Sequence, residues 1–189
     1  MSRKKIQSVE LMRATEKLLL EQGYGGFNFS TLSKILNVGR TTLYEYYATK
    51  DDLIVAYMNQ LMKDYKSDLK VIIYEKDAEN QLVQLIELMI KYSHIHNIIK
   101  IIPLLQSESK AVKKLEKDFV KDHLYIIEAI TTIINNGKKE TVIRKEIPTD
   151  VLVSLLFNTI NKPTSIKMDN ASWAKWVWEI LYLGVSSHD

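Results

Sequence analysis

The chain has 189 residues, 46% of them hydrophobic and 26% charged, with six glycines, three prolines and no cysteine. That composition belongs to a globular protein with long uninterrupted elements, and it excludes disulfides, thiolate metal sites and thiol nucleophiles. The net charge of +3 is unevenly spread: residues 1–50 hold eight Lys or Arg against four Asp or Glu and the remainder carries 18 against 19, so the positive excess sits where a polyanion would be met.

The opening MSRKK runs directly into the amphipathic IQSVELMRA, without the continuous apolar stretch of a signal peptide. Its Arg3, Lys4 and Lys5 read as a solvated tail, with a minor-groove arm as the alternative. Over 5–22, Ile6, Val9, Leu11, Ala14, Leu18 and Leu19 gather towards one side of a helix, and Gly23 follows as a left-handed stop. After the turn GYGGF, Asn28 caps a short helix over 29–36, in which Leu32, Ile35 and Leu36 recur at helical spacing. Asn37 tolerates the left-handed backbone of a turn, Val38 is apolar inside it, and Gly39 serves as the next N-cap. A third helix over 40–47 sets Leu43 and Tyr47 four apart on its inner face, so Tyr47 reads as a core aromatic. Two short helices joined by a three-residue turn make a helix-turn-helix.

Thr49 caps a long fourth helix over 50–73, with Asp51 and Asp52 in the first turn where the helix dipole favours acids. Further helices are predicted over 80–96, 98–106 (bent or ended by Pro103), 109–136, 148–161 and 170–186, about nine in all, which makes the fold all-α. The most apolar segment, 98–105, is short and broken by Lys100 and Pro103, so no membrane span and no membrane partner is expected and the cytoplasm is the expected compartment.

The last two helices, carrying VLVSLLFNTI and WAKWVWEILYLGV, are apolar almost all round and need cover on more than one side. A twofold homodimer that packs this pair against its copy as a four-helix bundle is the simplest solution. Its seam would hold Leu152, Leu155, Leu156, Thr159, Trp173, Trp176, Val177, Ile180 and Leu181. A fully buried core hairpin is the alternative.

The segment FNFSTLSKILNVGRTTLYEYYATKDDL resembles the DNA-binding signature of the tetracycline-repressor (TetR) family: a capped short helix, a turn of Asn and Val, a recognition helix with T-L-Y-x-Y and an aromatic, and a K-D-D-L start to the fourth helix. The likeness covers about the first 55 residues closely, and the helix ending LLLEQGY matches as well. Asn37 stands where Gly is usual, Gly39 where a capping Ser is common, and Ser33 where Ala is common; all three are small or compatible with a cap. The resemblance implies a DNA-binding domain over 1–49, a larger helical regulatory and dimerisation domain over 50–189, and a repressor that binds double-stranded palindromic operator DNA as a homodimer. It also implies that Asn28 and Ser30 face the DNA backbone or an outer base.

A recognition helix enters the major groove by its N-terminal end, where unpaired backbone N–H groups face phosphates and the first side chains meet base edges. Here those side chains are Arg40, able to pair bidentately with guanine, and Thr41, able to touch a thymine methyl. Thr42, Tyr44, Tyr46 and Lys50 are expected to clamp phosphates, while the acid Glu45 points away.

No nucleotide-binding, hydrolase or metalloprotease motif occurs, so no enzymatic activity and no cofactor is expected. His94 and His96 are two apart, a spacing that sends them to different faces of a helix, so no metal is expected there. The family resemblance implies a cavity for an unknown small-molecule effector, hydrophobic or aromatic. Its candidate lining is Met89, Tyr92, His96, Gln106, His123, Tyr125 and Asn158, each a polar or polarizable group on an apolar stretch. The alternative is a helical dimeric DNA-binding protein, architectural or an adaptor for a protein partner, without an effector.

Overall fold

A computed structural model describes residues 6–105, 109–159 and 165–185, and the side chains at 96, 159 and 185 lie outside the description. Among the described residues the chain forms α1 (Ser8–Gly26), α2 (Phe29–Leu36), α3 (Arg40–Tyr46), α4 (Lys50–Ile73), α5 (Ala78–Lys91), α6 (Ile95–Ile99), a 3-10 turn (Ile102–Leu104), α7 (Lys110–Lys139), α8 (Thr149–Thr159) and α9 (Asn170–Val185). None of these helices is long and apolar enough to cross a membrane. They pack as two compact units, one made of Met1–Met62 with His94–Phe119 and the other of Lys63–Ser93 with Val120–Asp189, so α4 and α7 supply residues to both.

In the first unit, Leu18 of α1, Phe27 of the following loop, Leu32 of α2, Leu43 of α3, and Leu53 and Ile54 of α4 are fully buried. One core is therefore shared by four consecutive helices, of which α2 and α3, with eight and seven residues, are too short for independent stability. His94, just before α6, brings its Nε2 within 3.2 Å of Glu16 Oε1, which ties α1 to the start of α6.

The second unit buries Leu69, Leu85, Ile130, Ile133 and Ile134, and packs α5 against α9. The buried Gln81 of α5 turns its amide nitrogen onto the carbonyls of Ile72, Ile73 and Glu75 at 3.1, 3.2 and 2.8 Å, so the end of α4 is closed by a side chain from the next helix. Asp169 caps α9 by accepting from the backbone N–H of Ser172 at 2.9 Å, a bond that holds its carboxyl below the ordinary value.

Several boundaries differ from the sequence expectation, among them those of α1, which runs Ser8–Gly26 and not 5–22, and of α7, which continues to Lys139 and not 136. The helix expected over 80–96 begins at Ala78 because Asp77 caps it: its Oδ1 accepts from Asn80 N–H at 2.7 Å. It ends at Lys91, where Ser93 N–H turns back to the Ile90 carbonyl and the Tyr92 hydroxyl donates to Asp68 at 3.0 Å. The helix expected over 98–106 is replaced by α6 and the separate 3-10 turn, with Pro103 at the start of the latter. Gly23 has positive φ as expected, but with φ +63 and ψ −174 it interrupts α1 in an extended rather than helical left-handed conformation.

That conformation is one that glycine alone adopts at low cost, although an added Cβ would meet no atom within 4 Å. Gly23→Ala should therefore lower the free energy of unfolding by about 1–3 kcal/mol through backbone strain alone. Gly25→Ala, also without a neighbour within 4 Å but with no positive φ, should leave it unchanged or slightly raised. Urea unfolding of the two variants checks this, and equal midpoints would remove the strain argument.

Candidate nucleic-acid interface

The helix-turn-helix is built by short-range bonds that the sequence encodes directly. Asn28 uses both ends of its carboxamide: Oδ1 accepts from Thr31 N–H at 2.9 Å and Nδ2 donates to the Gly26 carbonyl at 3.0 Å. Asn37 ends α2 in the left-handed conformation, φ 51 and ψ 50, while the N–H of Val38 returns to the Ser33 carbonyl at 3.0 Å. Ser33 is buried under this turn with its hydroxyl donating to the Ser30 carbonyl, which explains why a small residue is needed there.

Gly39 then starts α3 without a side-chain cap. Leu43 sinks fully into the core, and Thr42 beside it is only 8% exposed. Arg40, Thr41, Tyr44 and Tyr46 remain at the surface. The ring of Tyr44 rests edge-on against Phe29 of α2, 4.9 Å between centroids, so its position is fixed although half its surface is free. Arg40 reaches across to Ser30 with a long contact, 3.4 Å from Nη1 to Oγ, which brings the leading residue of α3 to the exposed face of α2. Tyr47 is half-buried against the core, and burial raises its hydroxyl pKa.

Of the eight expected DNA-contacting residues, Ser30, Arg40, Thr41, Tyr44 and Tyr46 are thus exposed together on α2 and α3. Asn28 is exposed too, but its carboxamide is engaged in the cap, and Thr42 is buried. Lys50, the eighth, is half-buried. Its Nζ donates to the Tyr24 carbonyl at 3.1 Å and lies 3.8 Å over the centre of the Tyr24 ring. The Tyr24 hydroxyl donates in turn to Asp51 Oδ1 at 3.0 Å. Burial raises the pKa of that hydroxyl, as do the bond to Asp51 and the Asp51 charge. Thr49 and Asp52 cap the same helix reciprocally, Asp52 N–H donating to Thr49 Oγ1 at 3.1 Å and Thr49 N–H to Asp52 Oδ2 at 3.0 Å. Sequence reasoning passed over Tyr24, whose only signal was an aromatic inside a glycine-rich turn.

The expected effector-lining residues are scattered. Met89 is buried, and Tyr92 is buried with its hydroxyl on Asp68 and its ring edge-on to Tyr65, whose own pKa burial pushes up to about 12. His123, Tyr125 and Asn158 are exposed, the last donating to the Ser154 carbonyl at 2.8 Å. Gln106 and the side chain of His96 lie outside the described residues. Among the described residues, two small hollows have apolar walls throughout. One, of about 20 Å³, lies in the first unit between α4, α6 and α7, with Met58, Met62, Ile98 and Phe119 in its wall. The other, of about 30 Å³, lies in the second unit between α5, α7, α8 and α9, with Leu82, Ile134, Leu152 and Trp178 in its wall.

The seam candidates divide by face. Leu152, Leu156 and Val177 are buried within the second unit, and Trp173 and Leu181 are half-buried. Leu155, Trp176 and Ile180 are exposed, Ile180 at 69%, in company with Val151 and Leu183, which the sequence reading did not single out. Spacings of four residues on α8, and of four and three on α9, put the exposed ones on one face of each helix. The side chain of Thr159 lies outside the described residues.

Residues 11–57 match the family model for bacterial regulatory proteins of the tetR family. The fatty acid metabolism regulator protein of Bacillus subtilis (strain 168) is 22% identical over 98% of this chain and 98% of its own length. The fold is shared with the ketosteroid transcriptional regulator KstR2 of Mycobacterium tuberculosis, with a TM-score of 0.76 at 12% identity over 100% of both chains. It is shared also with AibR in complex with isovaleryl coenzyme A and operator DNA, with a TM-score of 0.68 at 12% identity over 91% of this chain and 96% of that one.

Proposed function

We propose that the chain, whose residues 11–57 match the model for the tetR family of bacterial regulatory proteins, is a DNA-binding regulator of transcription and acts as a repressor released by a small apolar effector. A homodimer lays its two copies of α3 in successive major grooves of a palindromic operator, about 34–36 Å apart. Residues 1–49 are the DNA-reading domain in this scheme, and residues 50–189 regulate and dimerise. Arg40 reads a guanine and Thr41 a thymine methyl, while Ser30, Tyr44, Tyr46 and Lys50 hold phosphates. Asn28 acts by fixing the start of α2, and Thr42 by packing α3 from below.

The observation that carries the reading is the division of α3: Leu43 and Thr42 are buried, while Arg40, Thr41 and Tyr44 are exposed next to Ser30. Its test begins with duplex fragments retained by the purified protein, from which the operator is read. Arg40→Ala should then lose about 5- to 150-fold of its preference for that operator over random DNA, the typical worth of one bidentate arginine–guanine pair. An unchanged preference would remove Arg40 as a base reader.

For the homodimer, the exposed apolar rows on α8 and α9 are the support. A charge placed in the middle of such a row is not tolerated in a desolvated seam but is harmless at a free surface. Ile180→Asp should give a folded monomer by sedimentation and circular dichroism, and a persistent dimer would rule out that seam.

An apolar effector, an acyl compound by preference, is supported by hollows whose walls offer no polar side chain. By name the Bacillus subtilis relative regulates fatty acid metabolism, and AibR holds an acyl-coenzyme A. Volumes of 20 and 30 Å³ nevertheless admit about one or two waters, far below the roughly 300–1,000 Å³ of ordinary ligand sites. An acyl effector that enters either hollow must bind a conformation in which helices have parted, and it releases DNA by favouring that conformation. The same small volumes favour a second reading, a DNA-binding architectural or adaptor protein with no effector. Thermal unfolding against fatty acids and acyl-coenzyme A esters of increasing length separates the two. A true effector at 100 times its Kd should add about 2.7 kcal/mol of stability and release the operator. Unchanged unfolding throughout the series, with DNA binding intact, would favour the second reading.

A further inference from the structure

We propose that Tyr24 is a positioning residue for DNA binding, which holds Lys50 ready for a backbone phosphate; the proposal rests on the DNA-binding reading above and assigns a role that no base-reading or clamping residue fills. Lys50 and Asp51 are neighbours of opposite charge at the start of α4. Left to itself, the lysine would fold onto an adjacent carboxylate or sweep freely through solvent, and in either state its charge would be poorly placed for an anion. Tyr24 prevents both with three separate contacts. Its carbonyl accepts one ammonium hydrogen at 3.1 Å, its ring face lies 3.8 Å beneath the charge, and its hydroxyl, at the far end of the same ring, bonds the Asp51 carboxylate at 3.0 Å.

One side chain thus separates the two charges. Asp51 is buried, so its negative charge is drawn away from the surface that meets the polyanion. Lys50 uses one of its three N–H bonds on the Tyr24 carbonyl and turns one side of its ammonium to the ring, which leaves the side facing away from Tyr24 to donate to a phosphate. Tyr24 can stand here because Gly23, in its positive-φ extended conformation, kinks α1 immediately before it. The contact spans 26 residues of sequence, which is why the GYGGF turn by itself gives no hint of it.

A double-mutant cycle on binding to a random-sequence duplex, read by fluorescence anisotropy over a range of salt concentrations, tests the proposal, since a phosphate contact needs no operator. Lys50→Ala should weaken binding and flatten the salt slope by about one counterion per half-site. Tyr24→Leu should weaken it about 2- to 5-fold per half-site, the typical worth of an exposed cation–π contact, and hence about 5- to 30-fold for a dimer. Tyr24→Phe, which keeps the ring and loses the hydroxyl, should recover most of that loss. On the Lys50→Ala background, Tyr24→Leu should add nothing. A purely structural tyrosine would give the same loss with or without Lys50, and that additivity would overturn the proposal, as would full binding by Tyr24→Leu. If Lys50→Ala binds like the parent protein, Lys50 touches no phosphate and the proposal falls while base reading by Arg40 stands. A parent protein that ignores duplex DNA at low salt would instead sink the DNA-binding reading itself.

Discussion

A helix of seven residues has no stability of its own in water, because several residues must be fixed before hydrogen bonding along the helix compensates, and α3 has seven. What holds it is the burial of Leu43 among Leu18, Leu32 and Leu53, worth about 1.5–3 kcal/mol for a side chain of that size. The edge contact between Phe29 and Tyr44 adds a second anchor on the adjoining helix. The same burial that makes α3 helical also sets its rotation about its own axis. With Leu43 inward, Thr41, about 200° away round the helix, is turned to the surface, and Arg40, at the first position of α3, extends beyond the core to Ser30. The orientation of the side chains that would read DNA is therefore a consequence of core packing, and a change at Leu43 would be felt at Arg40 without touching it.

The ends of these helices follow from equally local causes, and for that reason they were legible. Asn28, Asn37, Gly39 and Thr49 each terminate or begin a helix by a bond to backbone within a few residues, or by tolerating one backbone conformation. Such features need no knowledge of the rest of the fold. The misjudged boundary at 80 had a local cause too, but two caps competed: Asp77 and Asn80 are both good N-caps, and the carboxylate of Asp77 took the N–H of Asn80 itself. The break after Lys91 was not legible, because Tyr92 is held by Asp68, 24 residues earlier. The Tyr24 contacts with Lys50 and Asp51 were hidden for the same reason. The faces of α8 and α9 were half legible. Apolar residues all round predict cover on more than one side, but only the packing of α5 against α9 separates Val177, which faces its own unit, from Ile180, which does not.

The small size of both hollows bears on what the proposed effector must be. Moving a two-state equilibrium from 1:99 to 99:1 requires about 5.5 kcal/mol of differential affinity, and a coupling of 1–3 kcal/mol gives only a 5- to 150-fold change. The hollows expose no polar surface, so the difference has to come from apolar contact. At about 0.8 kcal/mol per buried methylene, a full switch needs about seven methylenes buried in the parted state and absent from the closed one. A short acyl group of two to four carbons reaches only the modest coupling, unless a polar head finds partners elsewhere on the chain. On these grounds a medium or long acyl chain fits the proposed repressor better than a compact polar metabolite. The side chains that such a chain displaces, Met58 and Met62 in one hollow or Leu152 and Trp178 in the other, belong to α4, α8 and α9. Each of those helices also carries a residue the proposal assigns to DNA binding or to the seam.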